Sequence, residues 1–517
     1  MASRHGIQVI PKKVKTDEVL EVGGDYILRR LILHNYYGEK TDILPIVQEL
    51  NIYESIYNNA ITGTLVIGDT KNQIARLKIQ GLERLSFKVQ TPGQTGLKDT
   101  IDFSEESGDP LHVYKITNRR MVSQNLMVYT IHFTSREFMR NLRVKVSKAY
   151  EGKLSSIVQN IISEKDGLDS RKKLYFEETG NADKIVMPNI SPFQAIDLCT
   201  KRALPKYAGG VGYYFYETTK GFYFRSWENM CAHYGRIAKS PIQTFRYIPQ
   251  NVNEHDNVKA EDQENPTITN LEAVESYKFM NTFHDTVAAQ ALGTYGHRVI
   301  AYNLYGKSYD TTDFHYHNEF NTTVHADFND DDTSDNKPAV RGNPVDFDNN
   351  SVSDYPESLV TLMPTSQYVH GDAGGSFGTD ISDDARLEGI RNAQMTQVAA
   401  GTSIKMIVKG QSYLQPGHII DFNIRPVEEG KTSNEKKSYD PQYSGRYLIT
   451  KIRHRVTKND YKMVLEARKD SVREALPGPT IDNYHGIARN EHAQFQSLTD
   501  SNYANIAKGK GPLKYGL

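Results

Sequence analysis

The sequence predicts a β-rich α+β fold: two antiparallel β-barrels of one kind in a single chain, with a small α/β domain inserted. Three observations predict it. First, residues 403–469 alternate apolar and polar positions in short runs: Ile404, Met406, Val408; Ile420, Phe422, Ile424; Leu448, Ile452, Val456; and Tyr461, Met463, Leu465, Ala467. Period two over runs of this length marks half-buried strands. Second, residues 26–134 echo that pattern. LSFKVQ matches IIDFNI in character, and the hairpin LHVYKITNRRMVSQNLMVYTIHF matches RYLITKIRHRVTKNDYKMVLEAR. Each hairpin has a long strand ending in two basic residues, a short polar turn and a returning strand with a tyrosine. An internal duplication is the reading that follows. Third, the stretch between them changes period. Leu154, Ile157, Val158, Ile161 and Ile162 fall at i, i+3, i+4, i+7 and i+8, the spacing of an amphipathic helix.

In chain order, residues 1–22 form an arm, basic at Lys12, Lys13 and Lys15. The first barrel takes 23–138, with strands at Tyr26–Leu33, Ile43–Tyr57, Thr62–Gly68, Leu85–Gln90, Leu111–Thr117 and Met127–Phe133. The α/β domain takes 139–240. Ser191-Pro192 there is an N-cap followed by proline at the first helical position. GYYFYETTKGFYFRS reads as a hairpin turning at Gly221. Residues 241–384 are an inserted domain with long loops; within it 326–380 are rich in Asp, Asn, Ser and Gly. A helix at Ile381–Val398, stopped by Gly401, leads into the second barrel at 385–475, whose turns carry Pro416-Gly417, Ser444-Gly445 and Asn459-Asp460. Residues 476–517 have no core pattern and form a linker or docking tail.

Length and composition narrow the function classes. The chain has 517 residues, enough for about three to four domains at roughly 100–200 residues each. Net charge is −1, which gives no global field to recruit nucleic acid or anionic membrane. The 32 tyrosines suit strands and extensive interfaces, where an apolar ring and a wet hydroxyl are both useful. Two cysteines, Cys199 and Cys231, make neither a disulfide framework nor a metal quartet. The N-terminus has no apolar signal core and no run of 18 apolar residues occurs, so the expectation is synthesis in a cytosol without membrane insertion.

Catalytic and cofactor signatures are sparse. No nucleotide fingerprint follows a strand. Gly374-Gly375-Ser376-Phe377-Gly378 lies in a polar loop without the context of a nucleophile elbow. His315 and His317, two apart on an expected strand, would point the same way and share an ion. Asp327, Asp330, Asp331 and Asp332 follow them but lack the calcium-loop pattern. Glu105-Glu106 and Glu177-Glu178 read as polar-turn neighbours rather than a glycosidase pair. Arg453 and Arg455 share one strand face, which suits a solvated or interface face. The expectation is therefore no catalytic, cofactor-binding or metal residues and no cofactor.

The motif V-x-G-x-x-x-L-x-P-G-x-x-I (Val408 to Ile420) and YSGRYLITKIRH (Tyr443–His454) resemble the hub proteins of contractile phage tails, including the late control protein D group and the hub region of type VI secretion spikes. YESIYNNAITGTLVIGDT (Tyr53–Thr70) and VMPNISPFQAIDLCTKRAL are similar to the same family. GTYGHRVIAYNLYGKSYDTTDFHYHNEF looks most like the hub of T4-like myoviruses. The matching stretches lie in the family's order and span about two-thirds of the chain. The resemblance implies two tail-tube-like barrels per chain and a homotrimeric, non-enzymatic baseplate hub in the virion, made in the host bacterial cytoplasm. Its implied partners are further copies of itself, the tail tube or tube-initiator protein, the central spike, the tape-measure protein and baseplate wedge proteins. Phage DNA would pass without sequence-specific binding. The barrel and interface positions it singles out are Glu54, Ser55, Gly63, Asp69, Gly410, Pro416, Gly417, Gly445, Tyr447 and His454. A tail-associated cell-wall-degrading enzyme is the alternative, and it needs a carboxylate pair or a metal cluster in a cleft.

Overall fold

The computed structural model describes residues 23–92, 100–206, 212–233, 237–247, 271–283, 285–304, 306–320, 323–327, 351–364, 371–372, 382–424, 439–440 and 442–472. The expected arm, the acidic run Asp330–Asp332, the Gly374–Gly378 loop and the tail from 476 lie outside them. The molecule is β-rich, with few helices and one dominant, mainly antiparallel sheet of 14 strands. Among the described residues no helix is long and apolar enough to cross a membrane.

The chain begins with β1 (Ile27–His34), β2 (Lys40–Asp42), β3 (Val47–Ser55) and β4 (Thr62–Asp69). After the short helix α1 (Gln73–Arg76) come β5 (Arg84–Gln90), β6 (Thr100–Asp102), β7 (Leu111–Ser123) and β8 (Leu126–Thr134). The alternation read from sequence is largely the burial pattern observed: Leu85, Phe87 and Val89 are buried while Arg84 and Lys88 are exposed, and Ser86 departs from it, buried where its Oγ accepts the Glu105 N–H at 2.9 Å. Burying one such side chain contributes roughly 1.5–3 kcal/mol, and the period of two makes any register slip bury the charged face instead.

Next comes a compact α/β region: α2 (Arg136–Arg143), β9 (Val146–Lys153), α3 (Leu154–Ser163), β10 (Leu174–Phe176), β11 (Ala182–Ile190), α4 (Pro192–Arg202), β12 (Tyr213–Thr218), β13 (Gly221–Ser226) and α5 (Trp227–Cys231). All five apolar residues that predicted α3 are buried. Helix α4 starts where the sequence placed it: the Ser191 N–H donates to Gln194 Oε1 at 3.1 Å, and the Phe193 N–H donates to Asn141 Oδ1 at 2.8 Å. The β12–β13 hairpin stacks Phe215 on Phe222 and Tyr216 on Tyr223 across the strands.

The remaining strands are β14 (Ala232–His233), β15 (Ile237–Ala238), β16 (Gln243–Arg246), β17 (Val274–Asn281), β18 (Gly296–Asn303), β19 (Ser308–His315), β20 (Val360–Pro364), β21 (Gly371–Asp372), β22 (Thr402–Lys409), β23 (Ile419–Asn423), β24 (Gly445–Thr457) and β25 (Tyr461–Lys469). The helices are α6 (Thr286–Ala291), α7 (Tyr316–Glu319) and α8 (Ser382–Ala400). Strands β19, β18 and β20 form a separate sheet, tied to α8 where both ring nitrogens of His297 meet carbonyls, those of Gly293 and Gly389, at 3.0 Å. Two strands in the segment expected to be insertion pair elsewhere. β16 joins β23 and β17 joins β22, both in the main sheet. Their polar sequences concealed this because each is half-exposed and borrows apolar contact from strands that come much later in the chain.

The main sheet contains the same strand order twice. Six strands of its first half are, in chain order, β1, β3, β4, β5, β7 and β8; the six of its second are β16, β17, β22, β23, β24 and β25. In space both halves run second, third, sixth, fifth, fourth, first. The five strands from second to fourth are antiparallel neighbours in both halves. The first strand alone differs: β1 is antiparallel to β5, whereas β16 is parallel to β23. Irregularities match as well. A bulge falls between Val47 and Glu49 in β3 and between Val274 and Ser276 in β17. Another falls between Val113 and Lys115 in β7 and between Ile449 and Lys451 in β24. One apolar cluster draws on both halves, from Tyr26 to Ala467.

The second of these bulges corrects one reading. Leu448, Ile452 and Val456 do not share a face. Ile452 and Val456 enter the main core, while Leu448, on the other side of the bulge, packs with Ile56, Tyr216 and Trp227. One extra residue inverts the alternation.

Candidate functional site

The two halves are joined by strand β24. Its first part, Gly445–Leu448, pairs with β23; after the bulge its second part, Lys451–Thr457, pairs with β3 of the first half. Arg453 and Arg455, on the outer face of β24, both reach Glu49 on β3. Arg453 Nη2 donates to Glu49 Oε1 at 3.2 Å and its Nε to Asn51 Oδ1 at 2.9 Å; Arg455 Nη2 donates to Glu49 Oε2 at 2.9 Å. Partial burial works against the Glu49 charge, but the bonds from Arg455 and Asn51 and the two guanidinium charges outweigh it and hold the carboxyl below its usual range. The paired arginines thus serve an interface, one within the chain.

On the inner face of the seam Glu54 and His454, both singled out from sequence, come together: His454 Nε2 lies 3.4 Å from Glu54 Oε1, and His454 Nδ1 meets Tyr461 Oη at 2.7 Å. All three are buried. Burial, then the Glu54 carboxylate, pushes the Tyr461 hydroxyl well above its usual range.

The other singled-out positions are dispersed. Ser55 Oγ accepts from the Tyr57 N–H at 3.1 Å and closes the turn after β3. Asp69 accepts from the N–H groups of Lys71 and Gln73 and starts α1. Gly63 faces Phe133 across β4 and β8, and a methyl there would lie 2.2 Å from the ring. The Gly410 N–H donates to the Tyr461 carbonyl at 2.8 Å. Pro416 is buried, and Gly417 follows with φ of +87°, donating to the Ile449 carbonyl at 2.8 Å. Gly445 opens β24, and Tyr447 Oη donates to the Tyr443 carbonyl at 2.6 Å. These positions shape turns and close strand approaches. Among them only Glu54 and His454 form a polar pair.

Two ionic networks escaped the sequence reading. In the first, buried Lys172 lies 2.9 Å from Glu137 on α2 and 2.6 Å from Glu217 on β12. Glu217 also accepts the Ile61 N–H at 2.9 Å, so the triad pins the α/β region to the first half-sheet. Burial opposes the Lys172 charge, but Glu217 and Glu137 together raise its pKa. One ammonium cannot compensate two carboxylates. Burial therefore pushes Glu217 up, whereas Lys172 and Ser170 hold Glu137 down against its own desolvation. In the second network, Lys469 at the end of β25 lies 3.5 Å from Asp327, which also accepts the Arg446 N–H at 2.7 Å. Next to it His325 Nδ1 meets Asp470 at 2.9 Å, both buried, and Phe320 stacks on the imidazole. Burial disfavours both charges, but each partner wins: His325 is raised and Asp470 lowered. A charged residue in the buried phase of a strand was the available signal, at Glu217 in YYFYET and at Lys469 after Tyr461, Met463, Leu465 and Ala467.

The expected metal candidates take other roles. Asp327 pairs with Lys469. His315 Nδ1 meets the Ser353 carbonyl at 2.9 Å, and β19 ends there as α7 begins, so the strand spacing expected to aim His315 and His317 at one ion is absent. Glu177 is not a surface turn residue; it is buried and accepts the Ser226 N–H at 2.8 Å. Among the described residues no group of three or more His, Cys, Asp or Glu is placed to hold a metal ion.

No protein-family pattern matches the sequence, and no curated protein matches it. Among solved structures the chain is similar to a tail protein from Neisseria meningitidis MC58, with TM-score 0.43, 10% identity and coverage of 86% of this chain and 97% of that one. It is similar to the 43 kDa tail protein of prophage MuSo2 from Shewanella oneidensis, with TM-score 0.44, 9% identity and coverage of 86% and 99%. It is also similar to an E. coli component of the type VI secretion system, with TM-score 0.36, 10% identity and coverage of 84% and 77%. At these scores the likenesses assign no role.

Proposed function

We propose that this chain is the structural baseplate hub of a contractile phage tail. In this reading it is a homotrimeric adaptor that joins a hexameric tail tube to a trimeric central spike and lines a channel for DNA and the tape-measure protein. The observation that carries it is the repeated strand order with its matching bulges. Each half is taken as one tail-tube-like barrel, so three chains present six quasi-equivalent barrels around an axis. A hexameric tube can stack on such a ring while a three-fold spike docks on it. The order of hub-like motifs along the sequence supports the same reading. So do the turns and seams at the motif positions, which hold strands together.

The division into an arm, two barrels, the 139–240 domain, the insertion and the tail belongs to this proposal, with β16 and β17 assigned to the second barrel. Wedge and tube-initiator contacts belong to it as well. The test is native mass measurement with electron microscopy of the purified chain, alone and with its spike. A trimeric ring with a central channel is expected. Monomer in both conditions, with no ring, sinks the proposal.

A further inference from the structure

We propose that the open edge of β7, from Lys115 to Ser123, pairs with the outer edge of β17 in a second copy of this chain. That contact would repeat between molecules the seam that β24 makes with β3 inside one. The inference rests on the ring reading above and specifies its contact surface.

The two halves correspond strand for strand. β7 and β24 are the fifth strands of their halves, and β3 and β17 are the second strands. β24 pairs with its fourth-strand neighbour only as far as Leu448, then crosses its bulge and gives the remaining edge to β3. β7 behaves the same way at its start. It pairs with β5 at Leu111 and His112, bulges after Val113, and from Lys115 onward has no ladder partner on that side among the described residues. Among the described residues β17 is the terminal strand of the main sheet, paired with β22 on one side; on the other a single bridge joins Ala273, just before the strand, to Arg246 at the end of β16. Among the described residues each molecule thus carries one used pair of edges and one unused pair of the same kind. Open strand edges are templates for pairing.

Counting from the shared bulges sets the register. Lys115 and Ile116 stand where Lys451 and Ile452 stand, and Glu49 and Leu50 correspond to Ser276 and Tyr277. One additional residue between Thr117 and Arg120 brings Met121 to the place of Val456. Inside the chain Val456 faces Leu50, and both are buried, at 3% and 1% exposure. Of their counterparts Met121 is 69% exposed, whereas Tyr277 is half-buried with its ring against Tyr247 and Phe422; Val122 and Met280 are exposed close by. The new seam therefore sets Met121 against Tyr277. It does not inherit the Glu49 ion pairs, because Ser276 holds that position and Arg120 faces Lys278. Like charges directly opposite weaken a strand pair, though both side chains reach solvent. A head-to-tail contact of this kind, alternating with the internal seam, generates a closed ring when its rotation closes.

The test is cysteine cross-linking of the full chain carrying Met121→Cys with Tyr277→Cys, and of a second pair, Thr117→Cys with Asn281→Cys, in the same register. Native Cys199 and Cys231 are buried and stay out of the reaction. Directly opposed strand residues lie close enough for a disulfide. Oxidation is expected to give a ladder of covalent oligomers, lost on reduction and absent from each single-cysteine chain. Arg120→Glu, which places a carboxylate opposite Lys278, is expected to shift the native-mass distribution toward the oligomer. A native oligomer that neither pair cross-links overturns the edge pairing and leaves the ring reading standing. A chain that stays monomeric in every variant overturns both.

Discussion

Replacing Lys172 by methionine keeps an unbranched side chain one atom shorter and removes its ammonium. Glu137 and Glu217, now 2.9 and 2.6 Å from that ammonium, would be left as two carboxylates buried together. Breaking a buried ion pair by removing one partner costs about 3–5 kcal/mol, because the surviving charge has neither water nor a counter-ion. Glu217 has a partial escape: its pKa is already raised by burial, and it can take a proton. That escape fixes the pH dependence. A carboxyl raised in the folded state penalises folding more as pH rises, so the deficit of Lys172→Met should shrink between pH 7 and pH 5. In the intact protein the two carboxyls act in opposite directions, since the raised Glu217 penalises folding as pH rises. Glu137 is lowered, so its contribution is present above the unfolded carboxylate pKa and fades as pH falls. A chain this long need not unfold in one step, so the suitable assay is site-resolved hydrogen exchange at the Ile61 amide, which donates to Glu217. Exchange should accelerate at least a hundredfold at pH 7, which matches about 3 kcal/mol. Adding Glu137→Gln and Glu217→Gln should restore most of the protection, since the side-chain amide oxygen introduced by Glu217→Gln can still accept from the Ile61 N–H. A loss below about 1 kcal/mol at pH 7, or one that grows on acidification, refutes the reasoning.

Two further predictions follow from the repeat and from the second network. At equivalent positions Gly63 faces Phe133 in the first half and Ile404 faces Ala467 in the second, so bulk has changed sides. Gly63→Ile alone should destabilise by about 1–3 kcal/mol or more through overpacking, and Phe133→Ala should recover much of that loss in the double variant, read by thermal melting; simple additivity of the two losses would refute the correspondence. His325 is raised and Asp470 lowered by their pairing, so the pair stabilises fully below the unfolded histidine pKa and above the unfolded aspartate pKa, and fades as pH rises past the folded histidine pKa. NMR titration of His325 should therefore show a pKa above the ordinary value that drops in Asp470→Asn, where only the Phe320 carbonyl and the Glu228 charge still oppose burial; an unchanged titration in that variant would count against the pairing.

The strands and helices were legible because local periodicity is a local signal. Leu85, Phe87 and Val89, the α3 stripe and the Ser191-Pro192 start needed no distant partner to be read. The recurrence of one hairpin type was legible for the same reason. β16 and β17 were not, because each is half-buried only through strands far along the chain. Glu54 and His454 were picked out as motif positions at opposite ends of the chain, but nothing in their spacing says that they touch.

The sequence by itself determined the alternation of each strand, the turns at Pro416-Gly417 and Gly221, and the presence of two like units, since each depends on residues within a few positions of one another. Only the tertiary structure decided how the units meet. The bulge at Thr450 sends β24 from one half to the other, Glu49 thereby finds Arg453 and Arg455, and Lys172 closes on Glu137 and Glu217. Those contacts depend on chain closure over long separations, where the choice of partner is set by the packing of the whole sheet.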